Sequence, residues 1–248
     1  MPFMTPMQRE YRKNATKVWN VKTGATRSGK TYGDYFLLPK RLLAVHGEPG
    51  INMILGSTRG TLTRNLIQPM QAIYGTALVG DIRTDNTAVL FGEKCCCLGA
   101  DNVRQVNRLR GSSIKYCYGD EVTTWHPEVF EMLKSRLDKA CSRFDGTCNP
   151  EGPTHWFKKF LDAQGAEIYQ QAYAIDDNPF NPPEVVARMK RDYAGTVYYD
   201  RYIRGLWVAA EGAVYRVFAD QPAQFMLDVA ELAAHPLATA TLGVDFGG

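Results

Sequence analysis

Gly24-Ala25-Thr26-Arg27-Ser28-Gly29-Lys30-Thr31 matches G-x-x-x-x-G-K-[ST] at every fixed position. The pattern works in one setting only: a strand must run in and a helix must run out. The glycines then let the backbone wrap with its N–H groups turned inward, and the helix N-terminus adds its positive dipole end. The flanks suit that demand. Trp19–Gly24 reads as a strand, and Lys30–Val45 as a helix bent or ended near Pro39. In such a loop the backbone from Gly24 through Ala25, Thr26, Arg27, Ser28 and Gly29 cradles nucleotide phosphates. The Lys30 ammonium reaches the β- and γ-phosphates and the Thr31 hydroxyl holds Mg²⁺.

The rest of the chain continues the alternation of strand and helix, which predicts an α/β fold with a mostly parallel sheet flanked by helices, of the P-loop NTPase kind. Ile51–Ser57 is an apolar run suited to a buried parallel strand. Thr61–Tyr74 is helical in pattern despite Pro69, and Thr87–Ala100 reads as a hairpin turning at Gly92-Glu93. Ser113–Glu121 and Arg143–Thr147 read as strands, His126–Leu137 and Thr154–Leu161 as helices. After Tyr173 the character changes: Asp176–Pro183 is loop-rich, Glu184–Tyr193 and Val197–Gly205 are short helical stretches, and Leu227–Ala234 is a weaker one.

The second half of a nucleotide site stands at the end of Ile114–Glu121, about 90 residues after the loop. A strand of this kind brings Asp120 to its C-terminal tip, beside the phosphate loop of a neighbouring strand. Asp120 then orients Mg²⁺ or a water of its shell, while Glu121 polarises the attacking water. A water-activating carboxylate suits a nucleotide hydrolase rather than a kinase. No N-K-x-D guanine signature is present, which favours ATP over GTP.

Composition sets the outer bounds. In 248 residues, 45 % apolar and 22 % charged, there is enough to bury a core and no sign of disorder or collagen-like repeat. The net charge of +3 is uneven. Residues 1–45 carry nine lysines and arginines against Glu10 and Asp34, whereas residues 46–248 carry 20 against 24 carboxylates. An anion is therefore expected at the N-terminal fifth. The first residues lack the apolar core of a secretory leader, and no apolar run reaches the ~20 residues of a membrane helix. The six cysteines form no C-x-x-C pair, so reduced thiols in an intracellular protein are expected.

These motifs together resemble the large terminase subunit, the DNA-packaging motor ATPase of tailed phages. Thr5-Pro6-Met7-Gln8, the phosphate loop, Tyr116–Thr123 (YCYGDEVT) and Thr147-Cys148-Asn149-Pro150 occur in that family's order and spacing. Asp177-Asn178-Pro179 and Gly205-Leu206-Trp207 resemble its segment between motor and nuclease, and Gly243-Val244-Asp245-Phe246-Gly247 resembles the first strand of its RNase H-like nuclease. The resemblance implies that Gln8 contacts adenine and that Thr147 and Asn149 couple γ-phosphate loss to domain motion. It implies that Asp245 is the first metal-binding carboxylate of a nuclease.

It also implies partners: double-stranded DNA, a portal protein, a small terminase subunit and further copies of the chain in a ring on the capsid, in the cytoplasm of an infected or lysogenic bacterium. One departure stands out. The family's loop arginine usually occupies the place of Thr26, and here Arg27 stands one step later. Arg27 is a candidate charge stabiliser from within the chain, with Arg59, Arg104 and Arg143 as candidates from a neighbouring copy.

The domain reading that follows is an ATPase core over 1–173, a lid and linker over 174–240, and the first strand of a nuclease domain over 241–248. Leu242–Gly248 begins like a buried strand and stops, so the chain is expected to be cut and, with one nuclease carboxylate, not to cleave DNA. The rival readings are a helicase or other DNA-stimulated P-loop ATPase, and a nucleotide-dependent assembly switch.

Overall fold

Seven strands, β1 (Trp19–Gly24), β2 (Ile51–Gly56), β3 (Thr87–Leu90), β4 (Glu93–Gly99), β5 (Ile114–Gly119), β6 (Arg143–Cys148) and β7 (Ile168–Tyr173), form one sheet in the order β3-β4-β2-β5-β6-β1-β7. All neighbours pair parallel except β3 and β4, the hairpin, which turns at Phe91-Gly92. The computed structural model describes residues 4–103, 111–165, 167–209 and 221–226. Arg104, Leu227–Ala234 and Asp245 lie outside the described residues.

Alternation along the strands sends side chains to two helical layers. Leu38 and Leu42 of α2 (Lys30–Ala44) pack with Leu62, Leu66 and Met70 on Ile54, Cys95, Cys97, Tyr116 and Tyr118. On the other face Phe130 of α5 (Pro127–Lys134) and Phe157 of α6 (Trp156–Leu161) pack on Trp19, Val21, Cys117 and Phe144. The cysteines of the described residues are free thiols, and no helix among those residues is long and apolar enough to cross a membrane.

Strand order corrects one expectation. β5 is not the neighbour of β1, because β6 runs between them. The phosphate loop leaves β1 and Asp120-Glu121 leave β5, so the end of β6 separates the two and reaches both. Two elements were absent from the sequence reading. The helix α1 (Pro6–Asn14) is mostly polar and buries only Gln8 and Tyr11; it starts on a capping box of Thr5 and Gln8. The strand β7 carries two adjacent glutamines, which break the apolar alternation, yet Gln171 is buried.

Helix α2 neither ends nor breaks at Pro39. A proline inside a helix has no N–H for the carbonyl four residues earlier, here that of Tyr35. The Tyr74 hydroxyl donates to that carbonyl at 3.2 Å. The second proline is treated the same way. Arg59–Tyr74 is helical throughout but not uniformly: α3 (Arg59–Leu62) and α4 (Gln68–Tyr74) flank a π-helical turn at Thr63–Ile67. Pro69 has no N–H for Asn65, and the Tyr35 hydroxyl donates to the Asn65 carbonyl at 2.8 Å. Two prolines and two tyrosines thus tie α2 to the π-turn and to α4.

Between α2 and the sheet lies a buried polar layer. The Lys22 ammonium of β1 is paired with Asp34 of α2, the Tyr118 hydroxyl donates to Asp34 at 3.3 Å, and Lys22 also stands 4.1 Å from the Tyr11 ring centroid. Burial pushes the Asp34 carboxyl up to about 6 against the pull of Lys22. Arg41 grips Asp145 of β6 with two N–H groups, at 2.7 and 3.0 Å. Two of the nine N-terminal cations, Lys22 and Arg41, are therefore neutralised inside the fold.

Candidate nucleotide site

The carboxyl ends of β1, β5, β6 and β7 meet at one edge of the sheet, where a parallel α/β fold leaves its crevice. A cavity of about 310 Å³ opens there, lined by Thr26, Arg27, Ser28, Gly29, Lys30, Thr31, Glu121, Thr147, Cys148 and Asn149. Three separate stretches of sequence supply its walls.

The loop is pinned by its neighbours. Ala25 N–H donates to the Tyr173 carbonyl at 2.8 Å, at the end of β7. Gly24 (φ +142°) and Gly205 (φ +72°) are forced by contact: a Cβ on Gly24 would stand 2.1 Å from the Tyr173 carbonyl oxygen, and one on Gly205 2.8 Å from the Gly24 Cα. The Gly205-Leu206-Trp207 segment thus abuts the loop. Arg27 takes a left-handed φ of +56°, and its carbonyl accepts from Asn178 Nδ2 at 2.8 Å and Asn181 Nδ2 at 3.0 Å. Its side chain is exposed at the cavity rim. Thr26 Oγ1 donates to the Tyr202 carbonyl at 3.3 Å. The segment after β7 therefore fastens the loop by hydrogen bonds at two of its residues, Thr26 and Arg27, and the end of β7 holds a third, Ala25.

Lys30 is buried and folded back on its own loop. Its ammonium donates to the carbonyls of Gly24 at 2.8 Å and Ala25 at 2.6 Å, and to Asn149 Oδ1 at 3.0 Å. Burial pulls it down to about 8, although the carboxylates of Asp120 and Glu121 favour the charge. The Ser28 hydroxyl donates to the Ala25 carbonyl at 2.8 Å and stiffens the turn.

Opposite stands the carboxylate pair. Asp120 is buried just past β5; Thr147 Oγ1 donates to its Oδ1 at 3.0 Å and Asn65 Nδ2 to its Oδ2 at 3.1 Å. Burial pushes the Asp120 carboxyl up, and those two hydrogen bonds and Lys30 restrain it. Glu121 is half-buried and lines the cavity, with φ +51°, an uncommon conformation for a non-glycine residue. Burial raises its carboxyl and the Asp120 charge raises it further. Thr147 Oγ1 also accepts the Glu121 N–H at 3.4 Å, so one hydroxyl links both carboxylate residues to the end of β6.

Gln8 stands under the loop rather than on its open side. Its Oε1 accepts from Thr5 N–H at 2.9 Å and its Nε2 donates to the Gly29 carbonyl at 2.8 Å, so both ends of the amide bind protein. Arg59 donates to the Ile82 carbonyl at 2.7 Å, and Arg143 begins β6, at the far end from Thr147. Three contributors were not singled out by sequence reasoning: Asn65, Asn181 and Tyr202. Cys148 and Asn178 were noticed only within their motifs. No motif marks the other three, of which Asn181 and Tyr202 act on or through backbone carbonyls.

Comparison with known proteins agrees with this geometry. The family described as terminase large subunit, T4likevirus-type, N-terminal, matches residues 23–221. The chain belongs to the terminase large-subunit family. Among solved structures, the large terminase of a thermophilic bacteriophage superposes with a TM-score of 0.73 at 29 % identity, covering 88 % of this chain and 57 % of that one. The same phage protein in complex with ATP-γ-S matches with a TM-score of 0.71 at 27 % identity, covering 89 % of this chain and 56 % of that one. The chain thus spans little more than half of that thermophilic-phage terminase. The ATPase domain of the Thermus phage P74-26 large terminase shares the fold at 14 % identity, with a TM-score of 0.60 over 84 % of this chain and 94 % of that domain. A search of curated protein sequences found no match.

Proposed function

We propose that this terminase chain is an ATP-hydrolysing motor that drives double-stranded DNA into a capsid. The observation that carries the reading is the meeting of Lys30, Thr31, Glu121, Thr147 and Asn149 in one cavity, with Asp120 buried behind it. The proposed domain organisation is that of the sequence reading: a core over 1–173, a lid and linker over 174–240 and the first strand of a nuclease domain over 241–248. The thermophilic-phage terminase complexes with ADP and ATP-γ-S support the nucleotide.

The loop amides and the Lys30 ammonium hold the β- and γ-phosphates, Lys30 exchanging its carbonyl partners for phosphate oxygens. The donor set fits Mg²⁺: the Thr31 hydroxyl and the Asp120 carboxylate are hard oxygens, and each Asp120 oxygen keeps a free lone pair beyond its one hydrogen bond. When bound, the metal ion neutralises charge on the β- and γ-oxygens. Glu121 aligns and polarises the water that attacks the γ-phosphorus, and its raised carboxyl suits a base.

Arg27 stabilises charge from within the chain. Thr147 touches both Asp120 and Glu121, and Asn149 touches Lys30, contacts that support a γ-phosphate-sensing role for the end of β6. Gln8 is buried against the loop with one amide N–H on the Gly29 carbonyl, and its second N–H and remaining Oε1 lone pair are the groups left for adenine. DNA, the portal protein, the small subunit and a ring of copies come from the family, as does the cytoplasm of the bacterial host.

The test is Glu121→Gln. ATP should bind within about threefold of wild type while turnover falls at least ~100-fold. Substantial residual turnover removes Glu121 from its role. Duplex DNA added to the same assay separates a packaging motor from an assembly switch, which would turn over little with or without it.

A further inference from the structure

The carboxylate of Asp120 has one hydrogen bond on each oxygen. Thr147 belongs to a motif already described; Asn65 belongs to none. It sits in the π-helical turn Thr63–Ile67, half-buried, with Nδ2 3.1 Å from Asp120 Oδ2. A π-turn inside an α-helix costs regular hydrogen bonding and recurs at functional sites. Here it has a visible effect, since it presents Asn65 to the end of β5. The Asn65 carbonyl is held in turn by the Tyr35 hydroxyl of α2 at 2.8 Å. Tyr35 stands four residues, about one turn, beyond Thr31 on the helix that leaves the phosphate loop. A short relay therefore runs from the loop helix through Tyr35 and Asn65 to Asp120, with the prolines at 39 and 69 freeing the carbonyls that the tyrosine hydroxyls occupy.

We infer that Asn65 is a positioning residue for Asp120, and that Tyr35 fixes Asn65, so that α2 sets the carboxylate in register with Thr31 for the divalent cation of the bound nucleotide. The inference rests on the nucleotide reading above and names residues that reading does not use. Fixed by Thr147 on one oxygen and Asn65 on the other, the carboxylate cannot rotate about its last bond without losing a partner. Its remaining lone pairs keep one direction. A ligand held this way loses little freedom when it meets a cation, and outer partners of metal-binding carboxylates typically contribute 10–100-fold to metal affinity.

The full chain tests this with two binding titrations of ATP, one with Mg²⁺ and one with EDTA. Wild type must bind in both, and more tightly with Mg²⁺; absence of binding refutes the nucleotide reading itself. For Asn65→Leu the Mg²⁺ arm should weaken about tenfold or more while the EDTA arm stays within about twofold. Tyr35→Phe, which keeps the ring and removes one hydrogen bond, should weaken the Mg²⁺ arm about threefold. Equal losses in both arms, with or without a lowered melting temperature, mark Asn65 as packing only and overturn the proposal. So does an unchanged Mg²⁺ arm in Asn65→Leu. Should Asn65→Leu fail to fold, Tyr35→Phe decides alone by the same split.

Discussion

Gly205→Ala places a methyl group where the structure has none to spare. The new Cβ would stand 2.4 Å from the Tyr173 carbonyl oxygen, 2.8 Å from the Gly24 Cα and 2.9 Å from the Ala25 nitrogen, all backbone atoms that cannot swing aside. Ordinary contact begins near 3.4 Å. The segment must therefore retreat by roughly 1 Å or push the loop entrance by as much, at an overpacking cost of about 1–3 kcal/mol. A left-handed φ of +72° adds about 1 kcal/mol for any residue with a Cβ. Together the loss is about 2–4 kcal/mol, out of a total stability of ~5–15 kcal/mol. Gly195→Ala separates the two contributions, since its φ is +77° and nothing lies within 4 Å of the added Cβ. It should lose only the ~1 kcal/mol of backbone strain. Urea unfolding of both variants measures the difference. ATP turnover supplies the functional reading: a ~1 Å displacement of Gly24 and Ala25 can lower kcat/KM about 100-fold, whereas Gly195→Ala leaves it unchanged. Equal destabilisation of the two variants, or wild-type turnover in Gly205→Ala, refutes the claim that this segment sets the position of the phosphate loop.

Lys30 gives a pH signature. Its folded value near 8 lies below the usual lysine range, so between about 8 and 10.5 the unfolded chain binds more protons and stability rises with pH. Affinity for ATP moves the other way, because phosphate needs the ammonium: above pH 8 the dissociation constant should rise about tenfold per unit, and Lys30→Met should titrate flat. A flat wild-type profile to about pH 9.5 contradicts this. Lys22→Met leaves Asp34 buried without its ion-pair partner, so its carboxyl, already pushed up by burial, rises further and takes up a proton near neutral pH; the loss in denaturant unfolding should stay below the ~3–5 kcal/mol of an uncompensated buried charge, and replacing Asp34 by Leu in the same chain should recover most of it.

What was legible in the sequence is what local chemistry dictates. A loop that must wrap phosphate needs its glycines and Lys30 within eight residues, and an apolar strand ending in Asp120-Glu121 announces itself the same way. Strand order is another matter. That β6 would stand between β1 and β5 depends on which crossover each strand takes, and no stretch of sequence encodes it locally. The placement of Thr147 between both carboxylate residues became visible only with that order. Helix α2 shows the limit from the other side. Pro39 was read as bending or ending the helix; the helix does not end there, and a hydroxyl 35 residues away, that of Tyr74, satisfies the carbonyl it leaves free.

The residues whose hold on the loop was not foreseen share a physical feature. Asn181 and Asn178 act on the Arg27 carbonyl, Tyr202 through its own carbonyl, and Gly205 through the absence of a side chain. Such contacts ask little of residue type at the receiving end, so they leave no pattern to match, yet they hold Arg27 at a φ of +56°. That conformation bears on the displaced arginine. A family arginine moved one step along the loop would ordinarily point its guanidinium elsewhere, but a left-handed residue redirects its Cβ relative to its neighbours. The two asparagines and the arginine form one device. Its parts lie about 150 residues apart, and the Asp176–Pro183 loop acquires a structural reason for its asparagines that composition alone did not give.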